Sequence, residues 1–332
     1  MERSNGRGRL TVLFTSAGRR VELMQCFRAD AEAMGVKLRC LAADREPAMS
    51  PACHRADAAF AMPGITDGEG YMDALLSVCR REEVDLVLPL FDAELHLLAR
   101  SRDAFAQQGT HVAISDPEFV ASCRNKLQTV RLLQTHGVPC PATEPLDRLR
   151  ANPGLLPPPV VIKPIDGSGS KGVRVIHDPR EIADHASEPS EWIAQEWLPG
   201  KEYTVNIFVD RGGLVRSAVP HLRMEVRHGE VSKAVTVQSS LLDELVRQVT
   251  PALAGARGPI CFQVRLTEHG QPQVFEINAR FGGGFPLAHR AGGRFPLWLM
   301  QECMGIEPEW EDEAWKEGVV MLRYDQSVFV DP

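Results

Sequence analysis

Val274-Phe275-Glu276-Ile277-Asn278-Ala279-Arg280 runs almost directly into the glycine cluster Gly282, Gly283 and Gly284. Val274, Phe275 and Ile277 mark a buried strand, and on an alternating strand Glu276, Asn278 and Arg280 fall on one face. A carboxylate, an amide oxygen and a guanidinium side by side are poor core material but a good seat for hard cations and phosphate oxygens. The simplest ligand that presents both is a magnesium-nucleotide. An edge strand with a solvated polar face has the same local pattern, so the rest of the chain has to decide.

Just upstream, Gly258 to Leu266 has strand character and carries Gln263 and Arg265 on one side. The turn at His269-Gly270 returns it into the Glu276 strand, which brings Gln263 and Glu276 close enough to share a metal. Farther back, Val160-Val161-Ile162-Lys163-Pro164, then Asp166-Gly167-Ser168-Gly169-Ser170-Lys171-Gly172, then Val173 to Ile176 spell strand, loop, strand. That is a flexible hairpin and not the strand-loop-helix of a Walker loop. Its N–H groups and hydroxyls can fold over phosphates with Lys163 beneath as a point charge, although a plain exposed hairpin looks alike. Gln195-Glu196-Trp197-Leu198 follows as a connector between two lobes, where free backbone groups can pair with a purine edge, and Glu202 is placed to accept ribose hydroxyls. The segments Leu214 to Pro220, Arg223 to Arg227 and Val231 to Val237, with a turn at His228-Gly229-Glu230, form a meander, and Leu241 to Leu253 is an amphipathic helix.

The amino-terminal part has a different rhythm. Leu10 to Phe14, Lys37 to Ala43, Val84 to Leu90 and His111 to Ile114 alternate with helical stretches, which predicts a parallel sheet with ligands at the carboxyl ends of its strands. The loop Thr15 to Arg20 lacks G-x-G-x-x-G, so it is no dinucleotide signature, but Arg19 and Arg20 at a helix start offer a carboxylate seat, or else a solvated helix face. Asp92 and Glu94 close a strand on the ligand edge, as amine contacts or as helix caps. Asp116-Pro117 opens a helix that contains Asn125-Lys126 and reaches His136, and the prolines at 153 and 157 to 159 make a stiff connection.

With 332 residues, 44% of them hydrophobic and 24% charged, the chain can build a full globular core. The net charge of −7 speaks against a nucleic-acid partner, which would need a basic stripe. Eight scattered cysteines without a C-x-x-C pair fit reduced residues in the cytoplasm. No apolar run reaches membrane-spanning length, and residues 1 to 8 are polar enough for a frayed start.

Taken in order, Lys126, Lys163, the glycine–serine hairpin, the Gln-Glu-Trp-Leu connector, Glu202, Gln263 and Glu276-Ile277-Asn278-Ala279-Arg280 resemble an ATP-grasp enzyme of the carbamoyl-phosphate-synthetase large-subunit-like branch. The resemblance implies α/β and α+β architecture: a Rossmann-like pre-ATP-grasp domain over residues 1–118, then a two-lobed ATP-grasp fold. Its small lobe would span 119–194 with the phosphate loop, and its large lobe 195–332 with the metal site. It further implies that Lys126 and Lys163 bind ATP phosphates, that Ser168, Gly169, Ser170 and Gly172 close over them, that Glu196, Trp197 and Leu198 hold adenine, and that Glu202 holds the ribose. Glu276 would bridge two Mg2+ ions, for which Mn2+ can substitute, with Gln263 on the first and Asn278 on the second. Arg280 would stabilise the transferring phosphoryl group. Many members of the fold have a carboxylate where this chain has Gln263.

The implied activity is that of a carboxylate–amine ligase working through an acyl phosphate, with a small carboxylate and an amine as substrates. A kinase, a carboxylate–thiol ligase or a non-catalytic ATP-binding subunit of the same fold is the alternative. Arg223, Arg280, His289 and Arg290 are candidates for reading a carboxylate, Arg19, Asp92 and Glu94 for reading an amino acid, and His289 and Asp92 for taking the proton from an amine. The family also includes amine ligases of cofactor and natural-product pathways, among them the lysine ligase of pyrrolysine synthesis. The acidic stretch Glu307 to Glu317 with its two tryptophans, and the apolar strand Val319 to Tyr324 followed by Val328 to Val330, suggest a homodimer contact.

Overall fold

The computed structural model describes residues 8–167, 169, 171–184, 191–227, 229–310 and 315–330. Of the expectations above, the frayed start over residues 1–7, Ser168 and Ser170 of the loop, His228 of the turn and residues 311–314 of the acidic stretch lie outside the described residues.

The chain opens as five parallel strands: β1 (Arg9–Thr15), β2 (Lys37–Asp44), β3 (Ala58–Ala61), β4 (Leu86–Pro89) and β5 (His111–Val112), in the order β3-β2-β1-β4-β5. Six of the seven residues of β1 are buried, as a central strand covered by helices on both faces requires. β3 escaped the sequence pattern because it is a short, alanine-rich edge strand whose side chains alternate between half-buried and exposed. Asp92 and Glu94 do not end a strand; they occupy the first turn of the helix Asp92–Arg100.

Two antiparallel sheets follow. The first contains β6 (Thr143–Pro145), β7 (Val160–Pro164), β8 (Arg174–Ile176) and β9 (Trp192–Glu196) in the order β6-β9-β7-β8. The second contains β10 (Lys201–Val209), β11 (Val215–Arg227), β12 (Glu230–Thr236), β13 (Gly258–Leu266), β14 (Pro272–Asn278) and β15 (Val320–Leu322) in the order β14-β13-β10-β11-β12-β15. Where two strands were expected between Leu214 and Arg227, one long β11 runs through register shifts at Arg223–Glu225 and Glu225–Val226. Val328, Phe329 and Val330 form no strand.

The single helix expected from Asp116 to His136 is two, Pro117–Arg124 and Lys126–Thr135, because Asn125 leaves helical dihedrals (φ −92°, ψ 106°) and its side chain caps the second by accepting the Gln128 amide at 3.0 Å. Lys126 is thereby the first residue of a helix, and its amide donates to the Ile165 carbonyl at 3.0 Å, which fixes that helix start against the loop after β7.

Core packing explains what holds the sheets together. One buried cluster joins Leu13 and Val87 of the amino-terminal sheet, and Leu75 of the helix Gly68–Arg81 packed on it, to Val205, Phe262 and Ile277 of the six-stranded sheet, and a second joins Phe14 and Phe27 to Phe285 and Phe295. The four-stranded sheet has its own smaller core around Leu146, Val160, Ile162 and Trp192. Trp310 is turned inward: its ring lies 5.4 Å from Trp298 and 6.0 Å from Phe208, with the Arg216 guanidinium 4.8 Å above it. Trp315 also packs against the core. The tryptophans expected to support a dimer contact are therefore core-facing.

Candidate active site

The six-stranded sheet presents the face on which the site is built. Gln263 of β13 stands opposite Glu276 of β14 and Thr204 of β10, and Cys261 stands opposite Asn278 and Asn206. Directly opposed residues of antiparallel strands have Cβ atoms about 5 Å apart, so the oxygens of Gln263 and Glu276 can reach one small cation. Asn278 Nδ2 donates to Glu276 Oε1 at 3.1 Å, and Arg280 Nη2 donates to Asn278 Oδ1 at 3.4 Å. The motif is one hydrogen-bonded line. β14 also carries a bulge, since Gln263 pairs with Glu276 but Val264 pairs with Val274, which leaves Phe275 over. The bulge puts the Phe275 ring in the wall of the cleft, with Lys163 Nζ 5.7 Å from its centroid, so Phe275 is not the core residue expected.

Opposite this face stands a cation pair. Lys126 Nζ donates to the Gly167 carbonyl at 2.7 Å, and Lys163 Nζ donates to Gln195 Oε1 at 2.8 Å. Burial lowers the pKa of both, pushing Lys163 down to about 8, with Glu276 the main influence holding each ammonium charged. Two desolvated ammonium groups facing one carboxylate leave a cleft short of negative charge. Polyphosphate would supply it. Between the two walls lies a cavity of about 210 Å3, and β7 and β8 pair antiparallel above it as the expected hairpin, bringing Gly167, Gly169 and Lys171 to its lining. Among the described residues, no three His, Cys, Asp or Glu side chains gather as a self-sufficient metal site. An ion held by Glu276 with the amide oxygens of Gln263 and Asn278 would thus need further oxygens, as Mg2+ takes from phosphates and water. The donor set fits that ion.

At the connector, Glu196 is exposed and its Oε2 accepts the Ala142 amide at 3.3 Å, while the Trp197 amide already donates to the Pro159 carbonyl at 3.2 Å. Trp197 and Leu198 still line the cleft. Glu202 is not the free acceptor expected: Arg223 and Arg265 each reach one of its oxygens at 2.9 Å, and Arg265 also lies 5.4 Å over the Trp197 ring. Arg223, a candidate for reading a carboxylate, thus lines the same cavity as Lys126 and Lys163 with its guanidinium paired to Glu202.

That far end begins at Arg280. Its Nε donates to Asp92 Oδ1 at 2.8 Å and its Nη2 to Asp92 Oδ2 at 2.5 Å, across 188 residues of sequence. Burial works against the guanidinium charge, but Asp92 outweighs it and raises the pKa above the ordinary arginine value. Both Asp92 oxygens are engaged, so it is neither a free amine seat nor a free proton acceptor. Glu94 is wholly buried and accepts from the amides of Leu90 and Phe91 and from the hydroxyls of Tyr71 and Ser16. It is a structural cap, which removes it from the substrate candidates. His289 faces away from the cleft, 3.1 Å from the buried Asp30 that also pairs with Arg294, and leaves the candidates too. Arg19 is exposed on the rim of a larger cavity of about 860 Å3 that adjoins Phe91, Gly282 and Gly283.

Gln195, Lys171 and the clamp role of Arg265 were not anticipated. Gln195 and Lys171 both lie inside stretches quoted above, but which residue of such a stretch points into a cleft depends on the register of β9 and on the path of the loop between β7 and β8. Among the described residues, no helix is long and apolar enough to cross a membrane.

Comparison with known proteins agrees with this geometry. Residues 12–113 match the PylC-like N-terminal domain, and residues 123–284 match the ATP-grasp domain. A D-alanine–D-alanine ligase of Halorhodospira halophila is 31% identical over 35% of this chain and 38% of its own length. A phosphoribosylamine–glycine ligase of Methanosphaera stadtmanae is 27% identical over 37% of this chain and 36% of its own. The chain thus spans well under two thirds of these relatives. The crystal structure of an L-amino acid ligase from Bacillus licheniformis superimposes with a TM-score of 0.67 at 22% identity, covering 89% of this chain and 74% of that one. With a Rossmann-like parallel sheet, two antiparallel lobes closing on a lysine-lined cleft and both family matches in register with them, the chain belongs to the ATP-grasp family and carries a PylC-like amino-terminal domain.

Proposed function

We propose that the protein is an ATP-dependent carboxylate–amine ligase. In this reading a substrate carboxylate attacks the γ-phosphorus of ATP, giving an acyl phosphate and ADP. An amine then attacks the acyl carbon, phosphate leaves, and an amide remains once the nitrogen has lost its proton. The carboxylate would belong to an amino acid or a related small acid. The observation that carries the reading is the continuous polar line from Lys126 and Lys163, past Gln263, Glu276 and Asn278, to Arg280.

Each residue then has a task set by its surroundings. Lys126 and Lys163 hold phosphate oxygens, and Gly169 and Gly172 of the hairpin cover those oxygens against water. Trp197, Leu198 and Glu196 border the base, with Glu202 near the ribose through its Arg223 and Arg265 clamp. Glu276, Gln263 and Asn278 are the oxygen ligands for two Mg2+, or Mn2+ in its place, whose chemistry when bound is to neutralise charge on the transferring group. Arg280, oriented by Asp92, meets the charge that gathers on the phosphoryl group. The amino-terminal domain over 1–118, the small lobe over 119–194 and the large lobe over 195–332 would divide these duties. The two curated relatives are named as ligases of alanine and of glycine, which supports an amino-acid substrate.

The test is ADP and phosphate release with magnesium-ATP over pools of amino acids, other carboxylates and amines, offered singly and in pairs, with products weighed by mass spectrometry. A product equal to two substrates less water is expected. A lasting phosphorylated product would make the protein a kinase, a thiol requirement an acyl-thiol ligase, and nucleotide binding without turnover of any pool would overturn the enzyme reading.

A further inference from the structure

The cavity of about 860 Å3 lies between the loop after β1, the glycine run at 282–283, β12 and a carboxyl-terminal segment of the described chain, which contributes Arg323, Tyr324, Asp325, Gln326 and Val328. Arg323 ties these walls together. Its amide donates to the Ser232 carbonyl at 2.8 Å, Nη1 to the Val231 carbonyl at 2.9 Å and Nη2 to the Gly283 carbonyl at 2.8 Å. The same guanidinium pairs with Glu230 at 3.4 Å and with Glu22 of the amino-terminal domain at 3.2 Å. One side chain from the residue after the last strand thus spans both domains and the glycine run.

The charge of the cavity decides what it can hold. Five arginines line it against three carboxylates, Glu22, Glu230 and Asp325. Glu230 has no capacity to receive an ammonium group: Arg20 at 3.5 Å and Arg323 already pair with it. Burial pushes its carboxyl up, but Arg20, Arg323, Arg280 and Arg19 together hold it below the usual range. The excess is positive, so an anion is stabilised there and a cation is not. Arg20, Arg227 and Arg323 are already paired, with Glu230, Glu225 and Glu22, whereas Arg19 and Arg55 have no ion-pair partner among the described residues, so two guanidinium groups of this wall are left for the anionic groups of a ligand. The volume is of the size that holds a whole small molecule and not one carboxylate.

We propose that this cavity receives the acid substrate, that the acid carries at least two carboxylates, and that Arg323 is a specificity-determining residue closing its outer wall. The word substrate rests on the ligase reading; the binding claim does not. The experiment is hydrogen–deuterium exchange on the full chain with L-glutamate and citrate as probes, and with L-alanine, L-lysine and inorganic phosphate as controls. Glutamate or citrate is expected to slow exchange in residues 16–23 and 320–328, while the controls leave both segments unchanged. Arg323→Ala is expected to weaken that effect about tenfold, because it leaves Glu22 and Glu230 unneutralised beside an anion and unties the wall at Gly283, and Arg323→Lys to restore part of it. MgADP protection of residues 195–202 in both variants shows that they are folded. Protection by alanine or lysine as strong as by glutamate, protection by phosphate alone, no protection by either polycarboxylate, or an unchanged response in Arg323→Ala would each overturn the proposal. Failure of the ligase reading would look different: polycarboxylate protection would persist with no C–N product from any pool.

Discussion

Lys163 shows at the scale of one residue why phosphate is the proposed ligand of the cleft. Only 6% exposed, and lowered to about 8 by burial, its ammonium is held charged mainly by Glu276. Phosphate oxygens favour the charged form, so above pH 8 binding must take up a proton. Affinity for MgADP is expected to be level below about pH 7.5 and to fall as pH rises through 8, approaching a factor of ten per unit. Lys163→Arg should flatten the profile; calorimetric titrations from pH 6.5 to 9.5 read both. The stability term has the opposite sign. Between about 8 and the ordinary value of 10.5 the unfolded chain keeps a proton that the folded chain has shed, so the penalty at this site is complete below 8 and fades as pH rises to 10.5. Glu276→Ala removes the shared ligand but no core volume, and ADP formation should drop by at least about 100-fold with the melting temperature nearly unchanged. Wild-type turnover in that variant would overturn the metal assignment.

At the scale of elements, glycines set the distances between strands and loops. A Cβ on Gly284 would lie 2.7 Å from Nε2 of the wholly buried His221 and 2.9 Å from Val231, neither of which can retreat. At Gly200 the backbone has φ of 121°, and a Cβ would run into the Leu266 carbonyl. Alanine at either position should cost about 1–3 kcal/mol in urea unfolding, by overpacking at 284 and by backbone strain at 200. Gly283→Ala would meet only the side-chain end of Glu230, which can turn aside at the expense of its pairs with Arg20 and Arg323, and should be milder in stability. Equal stability of the Gly284→Ala variant and wild type would show that β12 and the glycine run are not locked together.

For the whole molecule, the distribution of cores predicts which parts move. The amino-terminal sheet and the six-stranded sheet share two clusters, whereas the four-stranded sheet relies on its own small one. Described residues of 143–194 should therefore exchange amide hydrogens before those of 201–278, and MgADP should slow the former most because, on the proposed reading, it would bridge β7 and β14. Simultaneous exchange of both lobes would contradict a mobile cover. The end strand β15 leaves Val320 and Leu322 exposed and its outer edge unpaired among the described residues. If two copies meet there, light scattering gives twice 36.7 kDa and Leu322→Lys returns the single mass; a monomer in the wild type removes that contact.

Local patterning made much of this visible. The alternation in Glu276-Ile277-Asn278, the lysine ending β7, the glycine–serine hairpin and the strand-helix rhythm of the first domain are all written within short windows, because the period of a strand and the chemistry of a turn are local properties. The partners of charged groups are not. Asp92 with Arg280, His289 with Asp30 and Arg323 with Glu22 join segments 188, 259 and 301 residues apart. No window contains both members of such a pair. Glu94 looked like a ligand-edge carboxylate until burial turned it into a cap, and Phe275 looked like core until a bulge moved it into the cleft. The sequence by itself determined the fold and the chemical types that gather in the cleft. Which charges are free to meet a substrate was decided only by tertiary structure, since a side chain's availability depends on what the folded chain brings against it.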